Sequence, residues 1–368
     1  MKRLALGAFA AVALLASVSL AGAARDGAHG SVAARAIGNG KLAYASRNGA
    51  QNLFNLSAVN RDGSGLRTLA QCVRLECEIG GYAWSPSGKR LAFLRGIRGG
   101  NLSLFVVRAD GKRERRLPGC GKPKWPSCNI RLFFGRLSWS PDGSRLVVAR
   151  AGGLFIVNVD RGRFRRLMNC RPAASCADYD PSWAPHGARI AFVRAGSIYS
   201  VKTDGSALTR LTNLPGYAAT PVWSPDASGI AFETSGDGDK VYAMAADGSE
   251  LSLLNSGPGG SGPGRPVWSP DATQILFFNT PGSAGAYNAE VWVVKADGSE
   301  RRRVYGGPCC IGTWAAPIWS PNGMYIAFGV GQSMPDPERT GIFVMRADGS
   351  ELRRLTEDVA EVAWQPKP

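Results

Sequence analysis

Histidine is nearly missing from this chain: His29 and His186 are the two that its 368 residues contain. A Ser-His-Asp hydrolase or a histidine-rich zinc site is therefore poorly supplied. His29 stands just behind an apolar leader. His186 occupies a turn slot that other copies of the same motif fill with Asp, Asn or Ser, and it reads as a turn residue. There is no C-x-x-C pair, no G-x-S-x-G elbow and no G-x-x-x-x-G-K-[ST] loop. The glycine-rich run SGPGGSGPGR at 256–265 has no strand–loop–helix setting and reads as a connection. Beyond the N-terminus no apolar run is long enough to span a bilayer. The repeated Asp-Gly-Ser segments lack the acidic ladder of a calcium loop. No cofactor and no metal are expected.

What is present begins with a targeting signal. Lys2 and Arg3 precede an apolar run from Leu4 to Leu20, and Ala21-Gly22-Ala23 supplies an A-x-A cleavage site. The expectation is a signal peptide at 1–23, a flexible linker at 24–40 and one domain at 41–368, exported to the periplasm or the exterior. Eight cysteines fit that compartment. They fall in close pairs: Cys72/Cys77, Cys120/Cys128, Cys170/Cys176 and Cys309/Cys310. Each local bridge is worth about 2 kcal/mol by loop closure. A bridge between the adjacent Cys309 and Cys310 would be strained, since neighbouring Cα atoms lie only about 3.8 Å apart. Those two are open to other partners.

The sequence repeats. WSPSGKRLAF at 84–93 returns as WSPDGSRLVV at 139–148, WAPHGARIAF at 183–192, WSPDASGIAF at 223–232, WSPDATQILF at 268–277 and WSPNGMYIAF at 319–328, and a last Trp364 starts a truncated copy. A period near 45 residues belongs to propeller blades of four strands. A second series interleaves: LFVVRADG, IYSVKTDG, VYAMAADG, VWVVKADG and IFVMRADG, with looser copies at 53–63 and 154–162. Apolar strand, Asp-Gly turn, apolar strand is a hairpin signal. Ser140 and Asp142, which look reactive in isolation, therefore belong to a turn between first and second strands. Six complete units start at Trp84 to Trp319. Three strands at the N-terminus (41–46, 53–59, 66–69) and one at the C-terminus (362–364) complete a seventh. The expectation is an all-β, seven-bladed β-propeller of four-stranded antiparallel blades, closed by both chain ends, with six or eight blades as alternatives.

The paired W-S-P-D-G-x-x-I-A-F and I-Y-x-x-x-x-D-G-S-x-x-x-x-L-T signatures resemble the TolB-like, WD-repeat-like β-propeller family over residues 41–364. The resemblance implies the fold and is nearly silent about activity. The chain departs from TolB where that protein carries an additional N-terminal α/β domain, since a short Gly- and Ala-rich stretch stands there instead. It departs likewise from propeller-bearing serine peptidases, which add a hydrolase domain.

Function is expected at the channel mouth, where first strands converge. Three residues before each Trp stand Gly81, Arg136, Asp180, Thr220, Arg265, Ala316 and Glu361; packing alone has no use for such charges at one register. Tyr82, Asp178, Tyr217 and Trp314 lie nearby. The binding set is Tyr82, Arg136, Asp178, Asp180, Tyr217, Thr220, Arg265, Trp314 and Glu361. Cys72, Cys120 and Cys170 each follow a turn Asp by ten residues, so their bridges would stiffen loops on that face. The expected role is a monomeric, non-catalytic module that binds a protein, a peptide or an anionic envelope polymer. The alternative is a glycan hydrolase or lyase using Asp178, Asp180 and Glu361. The net charge of +16 is concentrated in fourth strands, at 113–116, 161–166, 301–303 and 353–354. It reads as protection of outer edges, or as attraction to acidic polymers or headgroups. Export and the lack of a basic-aromatic cluster argue against nucleic acid.

Overall fold

The computed structural model describes residues 40–48, 53–74, 77–97, 102–118, 137–150, 153–168, 178–236, 240–255, 264–279, 288–308, 316–330, 340–357 and 361–366. They form seven four-stranded antiparallel sheets. Blade 1 comprises, from inside outward, Cys77–Trp84, Arg90–Ile97, Leu102–Arg108 and Arg115–Arg116. Blade 2 is Ser138–Trp139, Arg145–Arg150, Gly153–Asn158 and Arg163–Arg166. Blade 3 is Tyr179–Trp183, Arg189–Arg194, Ser197–Lys202 and Thr209–Arg210, and blade 4 is Tyr217–Trp223, Gly229–Ser235, Lys240–Ala245 and Ser252–Leu253. Blade 5 is Gly264–Trp268, Gln274–Asn279, Asn288–Lys295 and Arg302–Pro308, and blade 6 is Ile318–Trp319, Tyr325–Val330, Gly341–Arg346 and Arg353–Thr356. Blade 7 joins the C-terminal Val362–Trp364 to Leu42–Asn48, Leu53–Val59 and Arg67–Gln71. Leu42 pairs with Trp364 and Tyr44 with Val362, so one strand from the far end of the chain completes this sheet.

The core is a ring of seven apolar seams between blades. Leu94, Leu104 and Val157 fill the seam between blades 1 and 2; Leu42, Val344 and Trp364 fill that between 6 and 7; Leu56, Ile79 and Trp84 close the circle between 7 and 1. Because both faces of each sheet are covered, strands such as Gly153–Asn158 are apolar almost throughout rather than alternating. Each motif Trp packs into the seam with the preceding blade. The indole N–H of Trp139 donates to Ala83 O (3.0 Å), that of Trp84 to Ala363 O (3.2 Å) and that of Trp268 to Val222 O (3.1 Å). In these three blades one side chain supplies both apolar area and a donor that bridges to the neighbouring blade.

Strand direction alternates, so the turns after first and third strands share one face, and the second-to-third and fourth-to-first connections share the other. On the turn face Ser140 is fully buried, receives the Arg145 amide at 2.9 Å and donates to Asp142. Ser224 with Asp226, Ser269 with Asp271 and Ser320 with Asn322 repeat the arrangement. His186, at the same slot, is exposed, with Nε2 at 3.1 Å from Asp226 O. The stretch is a joint.

These turns carry a pH dependence. The Ser140 hydroxyl, then the Ser144 amide, hold the Asp142 carboxyl down to about 2. Serine hydroxyls two residues on lower Asp204, Asp247, Asp297 and Asp348 in the same direction. A carboxylate whose folded pKa lies below its unfolded value stabilises the fold above the unfolded value, and that contribution fades as pH falls through the folded one. Urea midpoints are therefore expected to hold from pH 7 to about 5 and to drop between about pH 4 and 2. In blade 6 Asn322 makes the same bonds, accepting from Met324 N at 3.1 Å. Asp142→Asn should accordingly keep the neutral-pH midpoint and flatten the acid slope; an unchanged slope would remove this turn from the account.

Several fourth-strand arginines link neighbouring blades. Arg67 of blade 7 donates to Asp110 O of blade 1 (3.2 Å), Arg115 of blade 1 to Asp160 O of blade 2 (3.1 Å), and Arg165 of blade 2 to Thr203 O of blade 3 (2.7 Å). Arg353 of blade 6 reaches Arg61 O and Asp62 O of blade 7. Each clasps the hairpin turn of the next blade.

Candidate functional site

The inner strands break their ladders at one register. In blades 1, 3, 4 and 5 pairing with the second strand shifts between Gly80 and Ala83, Tyr179 and Ser182, Ala219 and Val222, and Gly264 and Val267. The residues looped out are the two that stand three and two positions before the Trp. Pro181, Pro221 and Pro266 occupy the second of these, where a residue with no N–H to donate costs the ladder nothing. The prolines are a sequence signal for the bulge that motif reading passed over. Asp180 and Thr220 adopt left-handed φ of +48° and +50° there. For a β-branched threonine this conformation is strained, and strain of this kind collects at bulges beside binding sites.

The bulges assemble two groups. In the first, the Asp180 carboxylate of blade 3 accepts from the Thr220 amide of blade 4 at 3.2 Å, and both residues are buried. Thr220 Oγ1 is buried without a hydrogen-bond partner among the described residues. Tyr179, which sequence reasoning missed, stands against Asp180 and Tyr217; burial first, then those two neighbours, raises its phenol pKa. Tyr217 is 66% exposed, a large amphipathic ring open to solvent beside buried polar groups.

In the second group Arg265 of blade 5 pairs with Glu361 of blade 7 at 3.1 Å. Blade 6 lies between those two, so the pair reaches past a whole blade, which only residues near the central axis can do. Tyr82 of blade 1 is buried; its hydroxyl donates to Glu361 O and accepts from Ala45 N at 3.2 Å. Burial, and secondarily the Glu361 charge, push its pKa well above the usual phenol value. Tyr82 ties blade 1 to blade 7 and has no proton left to donate to a ligand.

Asp178 is set apart. Its buried carboxylate receives both Nε (2.7 Å) and Nη2 (2.8 Å) of Arg194. Sequence reasoning did not single out Arg194, whose position at the end of a second strand carried no motif. Each of the three candidate carboxylates thus has its own partner: Asp178 an arginine, Asp180 a backbone amide, Glu361 another arginine. Among the described residues no three His, Cys, Asp or Glu side chains converge as a metal site would require. Cys72 and Cys77 form a disulfide at the connection into blade 1. Arg136, Trp314, Cys120, Cys128, Cys170, Cys176, Cys309 and Cys310 lie outside the described residues, as do the leader and the linker up to residue 39.

The fold is thus a closed propeller of seven four-stranded blades, with charge and strained backbone gathered at the inner-strand bulges. The family model of the TolB beta propeller domain matches residues 126–309, half of the chain. The protein is a member of that family. Among solved structures it is similar to TolB from Acinetobacter baumannii, at 19% identity over 89% of this chain and 67% of that one, with a TM-score of 0.52. It is also similar to an oligogalacturonate lyase from Vibrio parahaemolyticus, at 14% identity over 86% of each chain, with a TM-score of 0.62. An oligogalacturonate lyase in complex with manganese gives the same figures. At these identities the likeness speaks of the fold alone. Comparison with curated proteins gives no match. Among the described residues no helix is long and apolar enough to cross a membrane.

Proposed function

We propose that this protein is an exported, non-catalytic binding module that takes a protein or peptide partner at the bulged mouth of its channel. The observation that carries the reading is the Arg265–Glu361 pair, partly buried and reaching from blade 5 to blade 7 across the mouth. A pre-positioned charge pair, an exposed Tyr217 on blade 4 and a disulfide-stapled connection into blade 1 keep the ordering cost of binding low. A lyase reading draws on the likeness to oligogalacturonate lyases, and the separately engaged carboxylates weigh against it, since each is bonded to a different partner.

The test places a photo-crosslinking amino acid at Tyr217 and, in a second variant, at the exposed rim residue Leu352, in the native host. Adducts are expected from position 217, with loss of about tenfold or more when Arg265→Ala is added, the size of one truncated charged anchor. Adducts from 352 alone, or adducts from 217 that ignore Arg265, would overturn the proposal. In parallel, unsaturated product from polygalacturonate that vanishes in Asp180→Asn would establish the lyase instead.

A further inference from the structure

The seven hairpin turns provide an internal standard for what the fold itself requires of the rim. In blades 4, 5 and 6 the turn reads Asp-Gly-Ser-Glu, ending at Glu250, Glu300 and Glu351, each with left-handed φ of 55°, 48° and 53°. Glu300 pairs with Lys295, and Glu351 with Arg346 at 3.5 Å. In blade 1 the same turn reads Asp110-Gly111-Lys112-Arg113, and Arg113 holds the equivalent φ of 56°. Charge is reversed there while backbone conformation is kept. The Lys112 amide still bonds Asp110 at 3.0 Å, but the serine hydroxyl that helps hold the other aspartates is gone. Nothing in the turn geometry asks for that exchange.

Blade 2 extends the basic character. Its turn reads Asp160-Arg161-Gly162-Arg163, and Arg161 and Arg163 are exposed. Tertiary structure brings the two runs side by side: Arg115 donates to Val159 O and Asp160 O, and Gly162 sits so close to Pro118 that an added Cβ would lie 2.6 Å from its ring. Arg113, Arg116, Arg161 and Arg163 make no ion pair with any described residue. The nearby acids are engaged elsewhere, Glu114 with Arg95 at 2.6 Å and Asp160 with Arg90 at 2.7 Å.

The same comparison indicates the partner's chemistry. After the turn, blades 7, 3, 4 and 6 expose Leu66, Leu208, Leu251 and Leu352, whereas blade 1 has Glu114 at that position. Among the described residues the turns and fourth strands of blades 1 and 2 expose no large apolar side chain; the exposed Ile97 of blade 1 stands at the far end of a second strand. A protein interface needs a buried anchor and a membrane helix or wedge needs apolar insertion; neither is offered here. What remains is a convex, hydrated strip of unpaired guanidinium groups, suited to the repeating anionic groups of a flexible chain. We propose that the joined rim of blades 1 and 2 is a second binding surface, distinct from the channel mouth, that takes a linear acidic polysaccharide through Lys112, Arg113, Arg116, Arg161 and Arg163.

The test uses the full chain and immobilised heparin as the probe. Lys112→Ser with Arg113→Glu installs the Asp-Gly-Ser-Glu turn already present in three blades, so folding is safeguarded by precedent in the same molecule. Lys202→Ser with Arg302→Glu removes the same charge from blades 3 and 5. The blade 1 variant is expected to bind about tenfold or more weakly at low salt and to lower the slope of log affinity against log salt by about one to two, while the control changes little. Equal weakening by both variants would show a response to net charge only and overturn the site. Wild-type binding to phosphatidylglycerol vesicles with none to heparin would overturn it too, by making the strip a membrane contact. Crosslinking from Tyr217 is unaffected by either rim variant, so failure here and failure of the channel reading are separable.

Discussion

Replacing Arg194 by methionine is expected to destabilise the protein by about 3–5 kcal/mol, the cost of stranding a buried charge. The Asp178 side chain has no solvent exposure and the Arg194 side chain 17%, and two bonds of 2.7 and 2.8 Å join them. Methionine keeps much of the aliphatic stem, loses the guanidinium that lies over the Phe192 and Tyr199 rings at 5.3 and 5.9 Å, and leaves the carboxylate unanswered. The second half of the experiment separates charge from packing. Adding Asp178→Asn to Arg194→Met should recover most of the loss, because removing both charges also removes the desolvation they had to overcome. Urea denaturation of the two single variants and the double gives the coupling directly. A loss below about 1 kcal/mol in Arg194→Met would mean that the pair is solvated and that Asp178 is free to act.

The next largest effect is expected at Gly205. Its φ is +96°, and an added Cβ would lie 2.5 Å from Leu167 O of the preceding blade. Gly205→Ala therefore meets a backbone penalty of about 1–2 kcal/mol and a clash with a carbonyl that cannot rotate away, for a total near 3 kcal/mol. Gly323, with φ of +71° and nothing nearer than Pro270 Cδ at 3.8 Å, carries only the first term. The difference between Gly205→Ala and Gly323→Ala, read from thermal or urea midpoints, reports how tightly one blade's turn is pressed on its neighbour. Equal losses would reduce the Asp-Gly turn to its local conformational role.

The architecture was legible in the sequence because a repeat states its own period. Trp marks the end of every inner strand, Asp-Gly the outer hairpin of every blade but the second, and the leftover strands at the two ends had to meet for the ring to close, as Leu42 and Trp364 do. The register three before the Trp also pointed to residues that come together, Asp180 with Thr220 and Arg265 with Glu361. Less was legible about what each does. Tyr82 and Asp178 looked like neighbours of the mouth, yet one is consumed by Glu361 O and Ala45 N and the other by Arg194, because partners from different strands are invisible to a linear motif.

By itself the sequence determined the blade count, the strand order and the joints, since local turn chemistry and hydrophobic period recur in every unit and need no long-range information. Only the tertiary structure decided which side chains share a seam, which charges are neutralised and which are left over. Arg115 and Asp160 are 45 positions apart in the chain and joined on the rim. The physical reason is closure: bending seven sheets around one axis sets distant positions side by side, and the Coulomb and hydrogen-bond terms that follow depend on distances in space.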